Sequence, residues 1–443
     1  MGKQVFRSRV VAAAALVLGS MSSALAQAAP AAPKIDGADT AWMIAATGLV
    51  LMMSIPGLAL FYCGMVRKKN VLATMAQTLL CTMLCSVLWV VIGYSLAFNG
   101  DGALIGTFER FFLMGIGMET TSKLAPTIPE MLFMAYQMTF AIITVALVAG
   151  SVADRMRFSA FIWFAALWLI LVYVPLAHWV WGGGFLGAAG VMDFAGGLVV
   201  HLNAGVAGLV AAYVIGKRQG YGTENFAPYD LSLAVIGTGL LWVGWFGFNG
   251  GSALGSGSRA AFAIVATHLA ACMGALTWMA IEWWTRGKPS VLGMISGAVA
   301  GLGTITPASG FVLPWHGLVI GLIAGAFCFW ACTKLKQALG YDDSLDVFGV
   351  HGVGGATGTI LTGVFAVGML SATPESPGGS SGLLEGNAWQ LVLQGYGVLV
   401  TLVYVAVVTF VILKIIEFIV PLRVNQQSEI EGLDITQHGE ALQ

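Results

Sequence analysis

Charged residues are scarce in this chain: lysine, arginine, aspartate and glutamate make up 9 % of its 443 residues, against about a quarter in a soluble domain. With 58 % hydrophobic residues and a mean hydropathy of +0.86, that scarcity excludes an ordinary soluble globular domain. Also missing is the apolar/polar alternation of an outer-membrane barrel; the apolar runs have instead the roughly 20-residue length of a spanning helix. Cysteine is sparse and unpatterned. Cys63, Cys81, Cys85, Cys272, Cys328 and Cys332 form no CxxC or CxxCH motif, so zinc, dithiol redox and covalent haem find no support. A net charge of −1 gives no electrostatic footprint for nucleic acid. The fold class that remains is an all-α polytopic membrane protein.

What is present is glycine, 59 residues of it, which suits helices packed backbone to backbone around a conduit. The N-terminus has a basic stretch (Lys3, Arg7, Arg9), a short apolar core (Val10 to Leu18) and an A-x-A site at Ala24-Leu25-Ala26. Residues 1–26 are thus expected to be a cleaved signal peptide. Residues 27–422 form the transmembrane domain, and the polar 423–443 a tail. Eleven apolar spans are expected near 41–63, 71–97, 128–150, 158–178, 194–215, 229–248, 260–283, 290–306, 314–333, 345–367 and 389–420. Thirteen lysines and arginines, among them Arg67, Lys68, Lys69, Arg155 and Arg157, fall on one side. Only Lys34, Arg110, Lys123 and Arg259 fall on the other. The positive-inside rule then places the N-terminus outside and the C-terminus in the cytoplasm.

Two segments share a signature. In DFAGGLVVHLNAG, His201 follows Asp193 by eight residues; in DSLDVFGVHGVGG, His351 follows Asp343 by eight. On a helix that offset is about 12 Å. Five helices separate the two segments, so they run in opposite directions, as spans 1–5 and 6–10 would in an inverted repeat. Entering about 12 Å from opposite faces of a core about 30 Å thick, the histidines come within about 6 Å of each other in depth. An imidazole at mid-membrane is costly and points to function. Asp193 can cap span five, and Asp343 and Asp346 can cap or brace span ten. His268, His316 and His438 belong to no pattern. Trp181, just before Gly182-Gly183-Gly184, sits where a continuous helix is not expected, on a loop or broken end lining an outer vestibule.

These parts fit a conduit for something small and easily protonated: imidazoles exchange protons near neutrality, and the rings of Trp181, Phe140 and Phe248 can face a cation, with Ser252 as a nearby acceptor. The blocks FYCGMVRKKNVL, ADRMRFSA, HWVWGGG, DFAGGLVVHLNAG, GWFGFNGGSA, GKPS, DVFGVHGVGG and EGLDITQHGE resemble, in order and over essentially the whole mature chain, the ammonium transporter family in its Amt branch. Two departures are Cys63, where the family usually has glycine, and the hydroxyl of Tyr136 at an outer phenyl position.

The resemblance implies ammonium uptake across the cytoplasmic (inner) membrane by a multi-pass protein that is not an enzyme and uses no cofactor or metal. It implies that Trp181, Phe140, Ser252 and Tyr136 form an outer recruitment site, that Phe140 and Phe248 are a gate, and that His201 and His351 line the pore. Asp193 would support the mouth without touching the cation. It further implies a homotrimer and a PII-type signal protein as cytoplasmic partner. Other classes are a membrane oxidoreductase with histidine-ligated haem, an ammonium sensor acting through a partner, and a Rh-like gas channel; the tryptophan in VWGGG favours the Amt type over the last.

Overall fold

A computed structural model describes residues 34–372 and 378–442; the expected signal peptide lies outside them. Nine helices among the described residues are long and apolar enough to cross a membrane: α1 Gly37–Met65, α2 Lys68–Phe98, α3 Glu130–Val152, α4 Phe158–Ala188, α5 Gly197–Ile215, α6 Leu231–Gly251, α7 Ser258–Arg286, α9 His316–Leu339 and α11 Ala388–Ile419. At the expected eighth and tenth spans the helices are shorter: α8 is Val291–Ile305, and α10 is a π-helical turn Phe348–Gly352 running into Val353–Phe365. Among the described residues nine long helices are therefore established, with shorter helices at the other two expected positions.

The helices begin where their caps allow. Asp36 accepts from the N–H groups of Ala38 and Asp39 to start α1, Asp230 accepts from Ser232 to start α6, and Ser290 Oγ from Gly293 to start α8; each satisfies a donor that a helix N-terminus leaves free. α3 occupies the middle of the molecule: every residue from Thr139 to Val152 is buried, so it is apolar all round rather than on one face. By contrast the outward face of α11 keeps Leu399, Val403, Val407, Val411 and Phe418 exposed, as expected of a helix against hydrocarbon.

Two features had no counterpart in the sequence reading. Between α2 and α3 the chain folds into a small antiparallel hairpin, β1 Thr121–Ser122 with β2 Ala125–Pro129, tied to the start of α1 by Asp36 N–H donating to Thr127 O. At the opposite, basic face, the tail is folded onto the body. Arg423 pairs with the buried Glu429 at 2.7 Å, which also accepts from Gln219 N–H. Asp434 accepts from Ala73 N–H, and Asn70 Oδ1 from Leu433 N–H. The loops beneath are locked by Arg67 to Asp154 at 3.0 Å and Arg218 to Asp342 at 2.7 Å. Burial alone would push the Asp342 carboxyl up, but the hydrogen bonds and charge of Arg218 prevail and hold it below the usual range.

Candidate functional site

Glycines four residues after each histidine decide how close the two histidines come. Gly205 lies so near α10 that a Cβ there would stand 2.2 Å from Gly352 N, and a Cβ on Gly355 would stand 2.6 Å from Gly197 O and 2.9 Å from His201 Cβ. Only hydrogen fits at either crossing, so α5 and α10 touch backbone to backbone. His201 and His351 meet there with Nδ1 atoms 3.2 Å apart and rings nearly parallel, 11° between planes. Since two imidazole nitrogens this close must share one hydrogen, one Nδ1 donates and the other accepts. His201 Nε2 is buried without a protein partner. It belongs to a narrow apolar lumen of about 10 Å³ lined by Leu147, Val200, Leu241, Trp245, Phe248 and His351, among others. That is barely the space of one water.

Above the histidines the aromatic residues form an unbroken series. Phe248 lies 6.2 Å from His201 and stacks on Phe140 with centroids 4.1 Å apart and planes at 23°. Phe140 meets Trp181 edge-on at 5.9 Å and 89°, and Tyr136 at 5.0 Å and 62°. Phe140 and Phe248 are both buried, whereas Trp181 and Ser252 are partly exposed. The hydroxyl of Tyr136 donates to Phe248 O at 2.8 Å and stands 3.4 Å from Ser252 Oγ, which also donates to Phe248 O. The hydroxyl that sets Tyr136 apart is thus spent on fixing the end of α6, which carries Phe248 and is followed directly by Ser252.

Trp181 terminates the regular part of α4, which ends at Val180; Gly183 has φ +94°, the backbone break that three glycines foretell. Its indole N–H donates to Asp193 O at 2.7 Å. Asp193 itself lies outside the helix: α5 starts at Gly197, after Gly196 turns with φ +117°, so the 12 Å helical offset from Asp193 to His201 does not apply. Its carboxylate accepts four backbone N–H groups, from Gly196, Gly197, Leu198 and Val199, at 2.7 to 3.2 Å. All its lone-pair positions are filled by donors, the arrangement of an ionised carboxylate, and the negative charge sits at the positive end of α5. Asp343 does the corresponding work more sparely, accepting from Phe348 N–H, while Asp346 pairs with Lys336 at 2.7 Å.

Below His351 the lumen meets a vestibule of about 250 Å³ at the basic face, whose walls include Phe61, Tyr62, Trp278, Glu282, Asp346 and His351 itself. The remaining histidines are elsewhere. His268 Nδ1 accepts from Trp242, His316 Nδ1 from Leu313 N–H, and His438 sits against Phe158.

Two residues escaped the sequence reading. Trp245 stacks on His201 at 5.4 Å and 14° while its N–H donates to Thr306; its signal was a place one helical turn before Phe248. His178, fully buried, contacts the carbonyls of Ala97 and Gly102 and pins the outer loop beside Trp181; standing two residues before Val180, it had only the glycine triplet as a cue.

With this geometry in place, comparison with known proteins is informative. Residues 41–442 match the family described as the Ammonium Transporter Family. An ammonium transporter of Bacillus subtilis (strain 168) is 48 % identical over 402 residues, covering 91 % of this chain and 97 % of the relative. The crystal structure of Saccharomyces cerevisiae Mep2 is 38 % identical with a TM-score of 0.82, covering 89 % of this chain and 88 % of that one. A structure described as a Sensor Amt Protein is 28 % identical, also with a TM-score of 0.82, covering 90 % and 98 %. The paired histidines, the aromatic series above them and these matches lead to one conclusion: the chain belongs to the Ammonium Transporter Family.

Proposed function

We propose that the protein takes up ammonium across the cytoplasmic membrane, binding NH4+ at Trp181, Phe140, Tyr136 and Ser252. The cation gives up its proton near the Phe140–Phe248 gate, the proton either returning to the outside or being carried separately, and NH3 passes along His201 and His351. The observation that carries this is the continuous series of contacts from Trp181 through Phe140 and Phe248 to the histidine pair. Indole and phenyl faces attract a cation before it is desolvated, and the Asp193 carboxylate adds favourable potential from beneath without touching it. Beyond the stacked rings the walls are apolar, and a bare charge there would cost many kcal/mol. Neutral NH3 avoids that cost. K+ cannot shed a proton, so it is left outside.

The parts of this reading that concern the whole molecule rest on sequence. The bias of basic residues supports eleven spans with the N-terminus outside, α8 and α10 supplying the two short ones; the mirrored Asp-His segments support an inverted repeat. The likeness to Amt transporters supports a homotrimer and a PII-type partner at the basic face, and the basic stretch, apolar core and A-x-A site support a cleaved leader over 1–26. Relatives named as transporters support a protein that is not an enzyme. A sensing role through a partner is the second reading, favoured by the likeness to the Sensor Amt Protein.

The test is current recording on proteoliposomes after an ammonium jump. A current that scales with ammonium and persists without a pH gradient supports transport with net charge movement; internal alkalinisation without current supports NH3 passage alone. Absence of both, with correctly inserted protein, overturns uptake and leaves sensing.

A further inference from the structure

A groove of about 640 Å³ runs down the outside of the molecule between α5 and α11, towards the end where α11 leads into the tail. Val210, Tyr213 and Val214 face it from α5, and Ala406, Phe410 and Lys414 from α11. These spacings, three and four residues, put each trio on one helix face. The Tyr213 hydroxyl is committed to Leu339 O at 3.0 Å, so the groove is apolar until it reaches Lys414. The ammonium of Lys414 lies 5.8 Å from the Phe410 ring and 2.7 Å from Glu417 Oε2, and both charged side chains are about half exposed (49 % and 48 %). Lys414 stands five residues before the end of α11 at Ile419, about 7.5 Å along the axis. The charged pair therefore lies near the end of α11 that leads into the tail.

We propose that this groove holds one phospholipid whose headgroup carries both a phosphate and a primary ammonium, as in phosphatidylethanolamine. An acyl chain fills the apolar part. At its end Lys414 has donated one N–H to Glu417 and has two left for a phosphate, while Glu417 keeps lone pairs for an ammonium donor. A choline headgroup has no N–H to give Glu417, and a glycerol headgroup has no cation. The lipid itself, rather than a protein, is indicated by the neighbouring surface. The exposed face of α11 from Leu399 through Val403 and Val407 to Val411 is apolar, with charge only at its end, on Lys414 and Glu417, whereas a protein–protein contact has a polar rim all round its apolar centre. Pockets closed by basic side chains at the cytoplasmic ends of spanning helices are where headgroups are recognised.

The test is native mass spectrometry of the full chain in detergent, titrated with phosphatidylethanolamine, phosphatidylcholine and phosphatidylglycerol of identical chains. The expected result is one phosphatidylethanolamine retained per subunit, in preference to the other two by at least about fivefold, the worth of one headgroup charge contact. Glu417→Gln, an isosteric change at an exposed site, is expected to erase the preference over phosphatidylcholine. Lys414→Ala should weaken all three lipids, and Ala406→Trp, which fills the groove, should abolish selective retention. Equal retention of the three lipids by the unaltered protein overturns the proposal, as does a preference untouched by both charge substitutions. So does efficient cross-linking of Val407→Cys between two copies in the membrane without selective lipid retention, which would show a second copy of this chain covering the groove.

Discussion

Replacing Gly205 with alanine tests whether the backbone crossing of α5 and α10 sets the histidine contact. The added Cβ would stand 2.2 Å from Gly352 N and 2.3 Å from Gly352 Cα, backbone atoms that cannot rotate away. Ordinary contact begins near 3.4 Å, so the two helices must part by about 1.2 Å at this point. Transferred even in part to the 3.2 Å separation of the Nδ1 atoms, that displacement takes the pair beyond hydrogen-bonding distance with both imidazoles still present. The steric cost falls in the range of about 1–3 kcal/mol for an overpacked core, which a membrane domain of this size survives. A misplacement of about 1 Å at a reacting centre can lower a rate about 100-fold. The assay is ammonium-evoked current and methylammonium uptake in proteoliposomes, with protein insertion measured alongside. Gly239→Ala serves as the control: a Cβ there meets nothing within 4 Å, and the change should leave transport intact while favouring the α6 helix by about 1 kcal/mol. A Gly205→Ala protein that carries unaltered flux would refute the link between this crossing and conduction.

Other consequences can be measured separately. Trp181→Ala removes the ring over the mouth and the N–H bond to Asp193 O; a cation–π contact worth about 0.5–2 kcal/mol predicts a half-saturating ammonium concentration raised roughly two- to thirtyfold, read from the concentration dependence of uptake. Asp193→Ala leaves four buried N–H groups without their acceptor, well beyond the single cap worth about 1 kcal/mol, so the protein should lose thermal stability in detergent, with Asp193→Asn intermediate. Asp342 has its carboxyl held below the usual range in the folded state. Its contribution to stability is thus fully present above its unfolded value near 3.9 and is lost as pH falls through the lower folded value. Asp342→Asn should flatten the acid limb of a melting-temperature profile.

The sequence carried the paired histidines because a polar group deep in an apolar run is rare and its spacing was duplicated. Helix direction then followed from counting spans. The break at Trp181 was equally legible, since three glycines cannot sustain a helix. Asp193 was misplaced along α5 because Gly196, in a left-handed turn, lets the chain fold its carboxylate back over the helix start; spacing alone cannot register that reversal. Trp245 and His178 were hidden for another reason. An aromatic or a histidine in an apolar helix has the same periodicity whether it packs or stacks on a functional ring, and only the neighbouring helix decides. The tail's docking was likewise invisible, because Glu429 finds Gln219 on a loop and Asp434 finds Ala73 near the start of α2, each more than 200 residues away.

The claim at the centre is that the buried histidine pair makes the pore conduct ammonia and refuse K+. It is tested most directly by His201→Ala and His351→Ala, singly and together, in proteoliposomes assayed for ammonium flux and K+ conductance on the same preparation. Ammonium flux is expected to fall, or K+ to begin to pass, in these variants. Full ammonium flux with K+ still excluded, once both imidazoles are gone, would contradict it.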